Sequence, residues 1–566
     1  MKHPRALLHR FAGQQYAPAA LLLALVGVPL LWSLWGAVAG ALDAAAWQAL
    51  VLDAQTLRAL AMSLWTGVLA SLLAVAASAW LLSRHFGQAP WHRLQRALAP
   101  MLALPHAAFA IGLVLLIAPS GWLLRALSPW ATGMDAPPPW PTTQDPWGLG
   151  LIAVLVCKEI PFLLWTAMAD LQRPDLAQRL QREMRVAHTL GYAPTVAWWR
   201  VVWPQLWPRM GGPLLAVLAY SLTVVDVALV IGPTSPPTLA VLAWQWLQDA
   251  NAATQAQGVA AAWLLTGLLA LCAGLIWGLT RLPLWRRRWT RGVTPTRPQQ
   301  HQNRAGVCGA GLLVSLYFSV AVALLLGSVL GYWPFPALWP QGWTLDAWQA
   351  VLGSSRTVWT TLLLGVASAL VALVWSMAWL EWAPARWQPR MRAVLLVPLA
   401  LPAVLWVVGL HRLALDWGLD GHGVGVWLAH TLATLPYVLM VLQGPHAGMD
   451  PRLRAIAASL GHGRWVFVWR IQWPLLRGAL AASFAVGFAV SVAQYLPTLY
   501  VGAGRFSTVT TEAVNLAAGG QRALTAAYAG LQGLLPLLVF GLAAWAVQAR
   551  RWPKPTYKPQ PTPPSK

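Results

Sequence analysis

Three ionisable residues stand inside long apolar stretches of this 566-residue chain: Lys158, Glu159 and Asp226. A charge at the centre of a membrane crossing costs on the order of 2.5–3.5 kcal/mol on insertion scales, so such residues face protein or water and mark ion and solute paths. Lys158 lies roughly 15 Å into its stretch, at ~1.5 Å of rise per helical residue. Neighbouring helix residues do not face each other, so Lys158 and Glu159 are expected to find different partners. Two readings fit. One is a polar cluster that pins helices together; the other is a candidate translocation path lined by Glu159 and Asp226, with a mild preference for cationic cargo.

The remaining chemistry is sparse. His411, Asp416, Asp420 and His422 fall in one short segment, but their spacing fits no metal-ligand template, and a solvated loop is the simpler reading. Cys157, Cys272 and Cys308 lie in or beside apolar stretches without metal-like spacing and read as small packing residues. A phosphate-cradling loop needs a Gly-Lys pair. The five lysines follow Met1, Cys157, Pro553, Tyr557 and Ser565. No nucleotide site, metal, cofactor or catalytic residue is therefore expected on this chain.

The elements that must position these residues are membrane helices. The chain is 58% hydrophobic and 10% charged, whereas about a quarter of a soluble chain is charged. High hydrophobicity also excludes disorder. Apolar runs long enough to cross a hydrocarbon core of about 30 Å recur near 17–39, 58–82, 98–118, 148–169, 212–232 and 258–280. A second set lies near 306–331, 357–380, 393–413, 424–443, 478–501 and 523–548. The expected fold is all-α, a polytopic bundle of about twelve crossings. The first run ends in Ala37-Val38-Ala39, a small-residue site, but is too long for a signal-peptide core; it reads as the first crossing.

The net charge of +23 invites a nucleic-acid reading, which would require the bases to gather on one surface. They are instead spread along the chain by side. With the N-terminus placed in the cytoplasm, the inner segments hold 32 basic and five acidic residues, and the outer segments six and nine. That is the positive-inside pattern, with both termini cytoplasmic and no nucleic-acid partner. The 38 Trp agree, since Trp32, Trp80, Trp333, Trp339 and Trp427 sit near crossing ends, as an interfacial belt requires.

An internal repeat organises the chain. AHTLGYAPTVAWWRVVWPQL begins at Ala187 and AASLGHGRWVFVWRIQWPLL at Ala457, a constant offset of 270 with nine of 20 positions identical. Leu104-Pro105 likewise matches Leu401-Pro402, and Ile160-Pro161 matches Leu435-Pro436. The halves are expected at 1–282 and 306–548, joined by a basic linker at 283–305 and followed by a basic, Pro-rich tail at 549–566. Leu176, Leu180, Met184 and Ala187 fall at helical spacing, as do Leu453, Ile456, Ala457 and Leu460. Asp450-Pro451 reads as a helix start, and Gly191 and Gly461 as left-handed caps. Each half thus predicts a short amphipathic helix on the inner side. One such helix would read as interfacial. Two with the same Gly-to-Pro spacing favour a docking surface for a two-fold symmetric partner.

At these residues the chain resembles the permease subunits of binding-protein-dependent ABC importers. Their signature runs Glu-Ala-Ala, three residues, Gly, nine residues, Ile, one residue, Leu-Pro. Ala187, Gly191, Val201 and Pro204 fill corresponding slots, as do Ala457, Gly461, Ile471 and Pro474, with Leu190 and Leu460 beside the glycines. Arg185 and Ala455 stand in the glutamate slot, Glu183 lies two residues early, and Trp203 and Trp473 replace the leucine. The chain is most similar to the fused thiamine and ferric-iron permeases and their Ynj-type relatives, the latter especially over SVAQYLPTLYVGAGR from Ser491. The resemblance implies two tandem parallel six-helix domains of the MetI-like kind in a bacterial inner membrane. It also implies an ABC ATPase homodimer docked on the two loops and an extracytoplasmic solute-binding protein, for which the outer 119–147 segment is a candidate landing surface.

Two other functions fit these residues less well. A secondary transporter with parallel halves would need intramembrane carboxylates for ion coupling, and only Glu159 and Asp226 exist, both in one half. A membrane enzyme working at the His411–His422 segment would leave the repeat unexplained.

Overall fold

The computed structural model describes residues 4–39, 42–87, 91–281 and 302–549. Most of the predicted linker and nearly all of the tail lie outside the described residues. Among the described residues the chain is helical, with one isolated bridge between Leu330 and Trp343. Ten helices are long and apolar enough to cross a membrane, or eleven if one bent pair counts as a single span.

All twelve predicted crossings contain helix, yet two, 212–232 and 393–413, hold no single membrane-length helix. Residues 212–232 divide into the helices Gly211–Thr223 and Asp226–Ile231 because Val224 is extended, with φ −64° and ψ 134°. The 13 residues before that break reach only about 20 Å. Residues 393–413 bend by 105° at Leu401-Pro402, where Leu401 is extended. Proline removes a helical N–H and pushes the preceding residue out of the helical region. The matching Leu104-Pro105 splits 98–118 in the same way, with Pro105 at ψ 155°.

The helices used below are α1 (Pro4–Ala39), α2 (Thr56–His85), α3 (Trp91–Ala103), α4 (His106–Ile117), α5 (Leu149–Leu171), α6 (Pro174–Thr189), α7 (Gly211–Thr223), α8 (Asp226–Ile231) and α9 (Leu239–Leu247). They continue as α10 (Gln302–Gly327), α11 (Ser355–Trp382), α12 (Gln388–Ala400), α13 (Ala403–Asp416), α14 (Gly423–Ala447), α15 (Arg452–Ser459), α16 (Trp473–Val492), α17 (Leu496–Val501) and α18 (Val509–Ala517).

Equivalent contacts recur in the two parts of the chain. The Leu239 N–H at the start of α9 donates to Ser63 Oγ on α2 at 2.8 Å. The Val509 N–H at the start of α18 donates to Thr361 Oγ1 on α11 at 2.9 Å. The first helix of each part packs on the other part. α1 lies on α13 and α11, and α10 lies on α4 and α2. Trp32 Nε1 donates to Asp416 Oδ2 at 2.9 Å, Trp375 Nε1 to the Leu22 carbonyl at 3.0 Å, and the Tyr317 hydroxyl to the Cys157 carbonyl at 3.1 Å. The largest apolar core therefore runs through both parts, taking in Leu155 and Leu164 together with Val320, Leu324 and Tyr528.

Candidate functional site

The two repeated loops match bond for bond. In the first, the Gly191 N–H donates to the His188 carbonyl at 3.0 Å and the Tyr192 N–H to the Ala187 carbonyl at 3.1 Å. In the second, Gly461 bonds Ala458 at 3.0 Å and His462 bonds Ala457 at 3.0 Å. Gly191 has φ +83° and Gly461 φ +77°. These are paired Schellman caps, which require the left-handed conformation that glycine adopts without steric penalty. Asp450 Oδ1 accepts from the Arg452 N–H at 2.9 Å and opens the second helix.

Both loops then pass through a π-helical turn, Trp198–Val202 and Val468–Gln472. The Trp203 N–H reaches the Trp198 carbonyl, and the Trp473 N–H the Val468 carbonyl. Pro204 and Pro474 follow. A proline in a helix lacks the N–H and its ring crowds the carbonyl four residues back, which a widened turn relieves. Indole rings fill the space beside it, with Trp198 and Trp203 at 5.4 Å and Trp469 and Trp473 at 3.8 Å between centroids.

Burial divides the motif residues into two groups. Ala187 and Ala457 are buried against the protein's own helices, although they fill signature slots. Apolar side chains one position before and three after face outward: Val186 is 59% and Leu190 61% exposed, and Ile456 is 55% and Leu460 69% exposed. Each pair is spaced i, i+4, so each loop presents one apolar knob of two side chains. Val201 and Ile471 are half-buried, as is Pro204, and Pro474 is exposed.

The loops are anchored differently. In the first, Glu183 pairs with Arg179 at 3.6 Å and accepts from Gln205 Nε2 at 2.6 Å. In the second, the anchor is Glu381, at the end of α11. Its Oε2 accepts from Arg454 on α15 at 2.9 Å. Its Oε1 accepts from Gln472 of the π turn and lies 3.1 Å from His446 Nε2 on α14. Arg464 donates to its backbone carbonyl. Sequence reasoning missed Glu381, because its partners lie 65 to 91 positions away.

The intramembrane charges also separate. Lys158 Nζ donates to the carbonyls of Met101 at 3.0 Å and Leu104 at 2.6 Å, closing the end of α3 at the proline break. Glu159 turns elsewhere, to His106 Nε2 at 3.3 Å. The His106 ring stacks 4.5 Å from Tyr220 of α7 and lies in electrostatic range of Asp226, the first residue of α8. From the other part of the chain, Tyr437 lies in range of Glu159 and Tyr495 in range of Asp226. Glu159 thus turns to His106, Asp226 stands at the start of α8, and Lys158 is committed to α3.

The acidic and histidine residues of the 411–422 segment form a local network. His411 pairs with Asp420 at 3.2 Å, and Arg412 with Asp416 at 3.1 Å, the same carboxylate that holds Trp32. No cluster of three or more His, Cys, Asp or Glu able to hold a metal occurs among the described residues. Among the buried residues of the 119–147 segment is Arg125. Its guanidinium donates to the carbonyls of Ser120 (2.9 Å), Trp333 (3.0 Å), Pro334 (2.7 Å) and Ala337 (2.8 Å) and stacks 3.8 Å from the Trp333 ring.

Apolar spans, ionisable residues held within them, and duplicated capped loops define a polytopic helical permease. Over 539 residues the chain is 35% identical to the inner membrane ABC transporter permease protein YnjC of Escherichia coli, covering 94% of this chain and 96% of that protein. The chain belongs to the ABC transporter permeases. The thiamine transport system permease protein ThiP of Salmonella typhimurium is 25% identical over 226 residues, 37% of this chain and 40% of that one. The ferric transport system permease protein FbpB of Actinobacillus pleuropneumoniae is 34% identical over 124 residues, 22% of this chain and 18% of that one. No protein-family model matches the chain.

Proposed function

We propose that this permease is the membrane subunit of a bacterial inner-membrane importer, with no enzymatic step of its own and both termini cytoplasmic. Residues 1–282 and 306–548 act as two permease halves. A separate ATPase homodimer docks on the paired loops, one subunit on the Val186–Leu190 knob and one on the Ile456–Leu460 knob. A soluble binding protein delivers a small solute on the opposite face, and the path runs past Glu159 and Asp226. Those two carboxylates, with Lys158 turned away, favour a cationic solute or one with a cationic group.

The observation that carries this reading is the loop duplication: the same cap, the same π turn and the same exposed apolar pair, repeated at an offset of 270. Two equivalent knobs suit a two-fold symmetric partner. The test is affinity purification of the tagged chain from its native membrane. An ATPase should come down with it, and Gly191→Arg combined with Gly461→Arg should release that ATPase while the permease still inserts. Retention of the ATPase by the double variant would overturn the docking role.

A further inference from the structure

We infer that Glu381 is a positioning residue that fixes the second docking loop to the end of α11 by charge, an anchor whose members the first loop does not carry at the equivalent positions, so the two docking loops are mechanically inequivalent. The inference rests on the docking reading above and adds to it how each loop transmits motion.

The Glu381 side chain is 8% exposed and meets four separate elements: α14 through His446, α15 through Arg454, the segment after α15 through Arg464, and the π turn through Gln472. A carboxylate offers about four lone-pair sites, and four donors surround this one. A buried ionic group held this way resists displacement, because removing it leaves opposite charges uncompensated.

The first loop lacks every member of the set. Arg58, Ser63 and Gly67 of α2 align with Arg356, Thr361 and Gly365 of α11, which places Ser83 opposite Glu381. The loop offset of 270 places Met184 opposite Arg454, Pro194 opposite Arg464 and Val202 opposite Gln472. The register of Pro161 and Pro436 places Leu171 opposite His446. Leu171, Met184 and Val202 are buried apolar residues, and the Ser83 hydroxyl donates to Trp80 of its own helix at 2.7 Å. The Arg179–Glu183–Gln205 contacts tie α6 to the residues after the π turn. Its ion pair is solvent-exposed, with side chains 58% and 40% exposed, and exposed pairs hold weakly. Five positions that are ionic or polar in one half are thus small or apolar in the other.

The test compares amide hydrogen exchange at residues 452–463 and 176–192 in the full-length permease in lipid nanodiscs. In Glu381→Gln, exchange at 452–463 should rise by at least about tenfold while 176–192 stays unchanged, as expected for loss of one local anchor. Glu381→Asp should recover part of the protection, and Met184→Ala should loosen 176–192 alone. In the same preparations the retained ATPase should hydrolyse MgATP more slowly with Glu381→Gln than with the wild-type chain. Unchanged exchange at 452–463, equal loosening of both loops, or unaltered hydrolysis with Glu381→Gln would each overturn the inference. If the wild-type chain retains no ATPase, the docking reading fails instead, and the exchange comparison still decides the anchor.

Discussion

Gly112 and Gly409 stand 297 positions apart and receive the first helix of the opposite half. A Cβ on Gly409 would lie 2.1 Å from the Ser33 carbonyl oxygen of α1, and one on Gly112 would lie 2.6 Å from Val320 Cγ1 and 3.0 Å from the Val320 carbonyl oxygen of α10. Both contacts require the absence of a side chain.

A methyl group at either glycine should therefore push a whole helix outward. Overpacking of this kind costs about 1–3 kcal/mol. Gly409→Ala and Gly112→Ala should each lower the thermal midpoint of the solubilised protein. Gly478→Ala, whose nearest neighbour would be Val547 Cγ1 at 3.8 Å, should leave it unchanged or raise it. Equal midpoints for all three would remove the close-packing argument.

Lys158 and Glu159 should separate on mutation. Lys158→Met strips the donor from the Met101 and Leu104 carbonyls, and an orphaned buried polar group costs about 1–3 kcal/mol. Its thermal midpoint should fall. Glu159→Gln and Asp226→Asn should keep the midpoint and lower cellular solute uptake. Normal uptake by both carboxylate variants at wild-type membrane levels would argue against the path.

The docking knobs should respond to polarity on their outward side alone. Leu190→Glu with Leu460→Glu should release the ATPase at an unchanged unfolding midpoint. Ala187→Glu, which places an unpaired charge in a buried slot, should lower the midpoint instead. Pull-down from membranes and a thermal melt distinguish the two effects.

Arg125 should tolerate no other cation. Lysine offers three donors on a flexible stem in place of a planar five-donor fork, so Arg125→Lys leaves carbonyls of the 333–337 segment unmet and loses the stack on Trp333. Limited proteolysis between Gly331 and Leu345 should accelerate by roughly tenfold, the scale of one lost buried hydrogen bond.

The sequence was legible wherever its signal was local or repeated. The apolar runs and the paired glycine caps follow from short-range chemistry, whereas Pro105 and Pro402 stood out as a repeat and the breaks they make lay hidden inside runs read as continuous. Counting runs overestimated complete spans, because hydropathy averages over the break at Val224 that shortens α7. The signature marked the two capped loops but not which side faces out: Ala187 and Ala457 hold its slots, and Val186 and Ile456 beside them carry the exposed surface. Glu381 was hidden for a different reason. A lone glutamate at a helix end looks solvated until distant chain brings four donors to it. Its trace in the sequence is the set of polar residues that replaces Leu171, Met184, Pro194 and Val202 between the halves.

The exchange of first helices has a consequence for synthesis. α1 is made first, yet Gly409, the residue that receives Ser33, emerges 376 positions later. At roughly 5–20 residues per second of translation, α1 waits on the order of 20–70 s in the bilayer without its partner. Leu21, Leu25, Leu31 and Trp35, still exposed in the finished fold, are the side chains suited to that wait. The nascent helix must be at home in lipid on every side before one side is claimed.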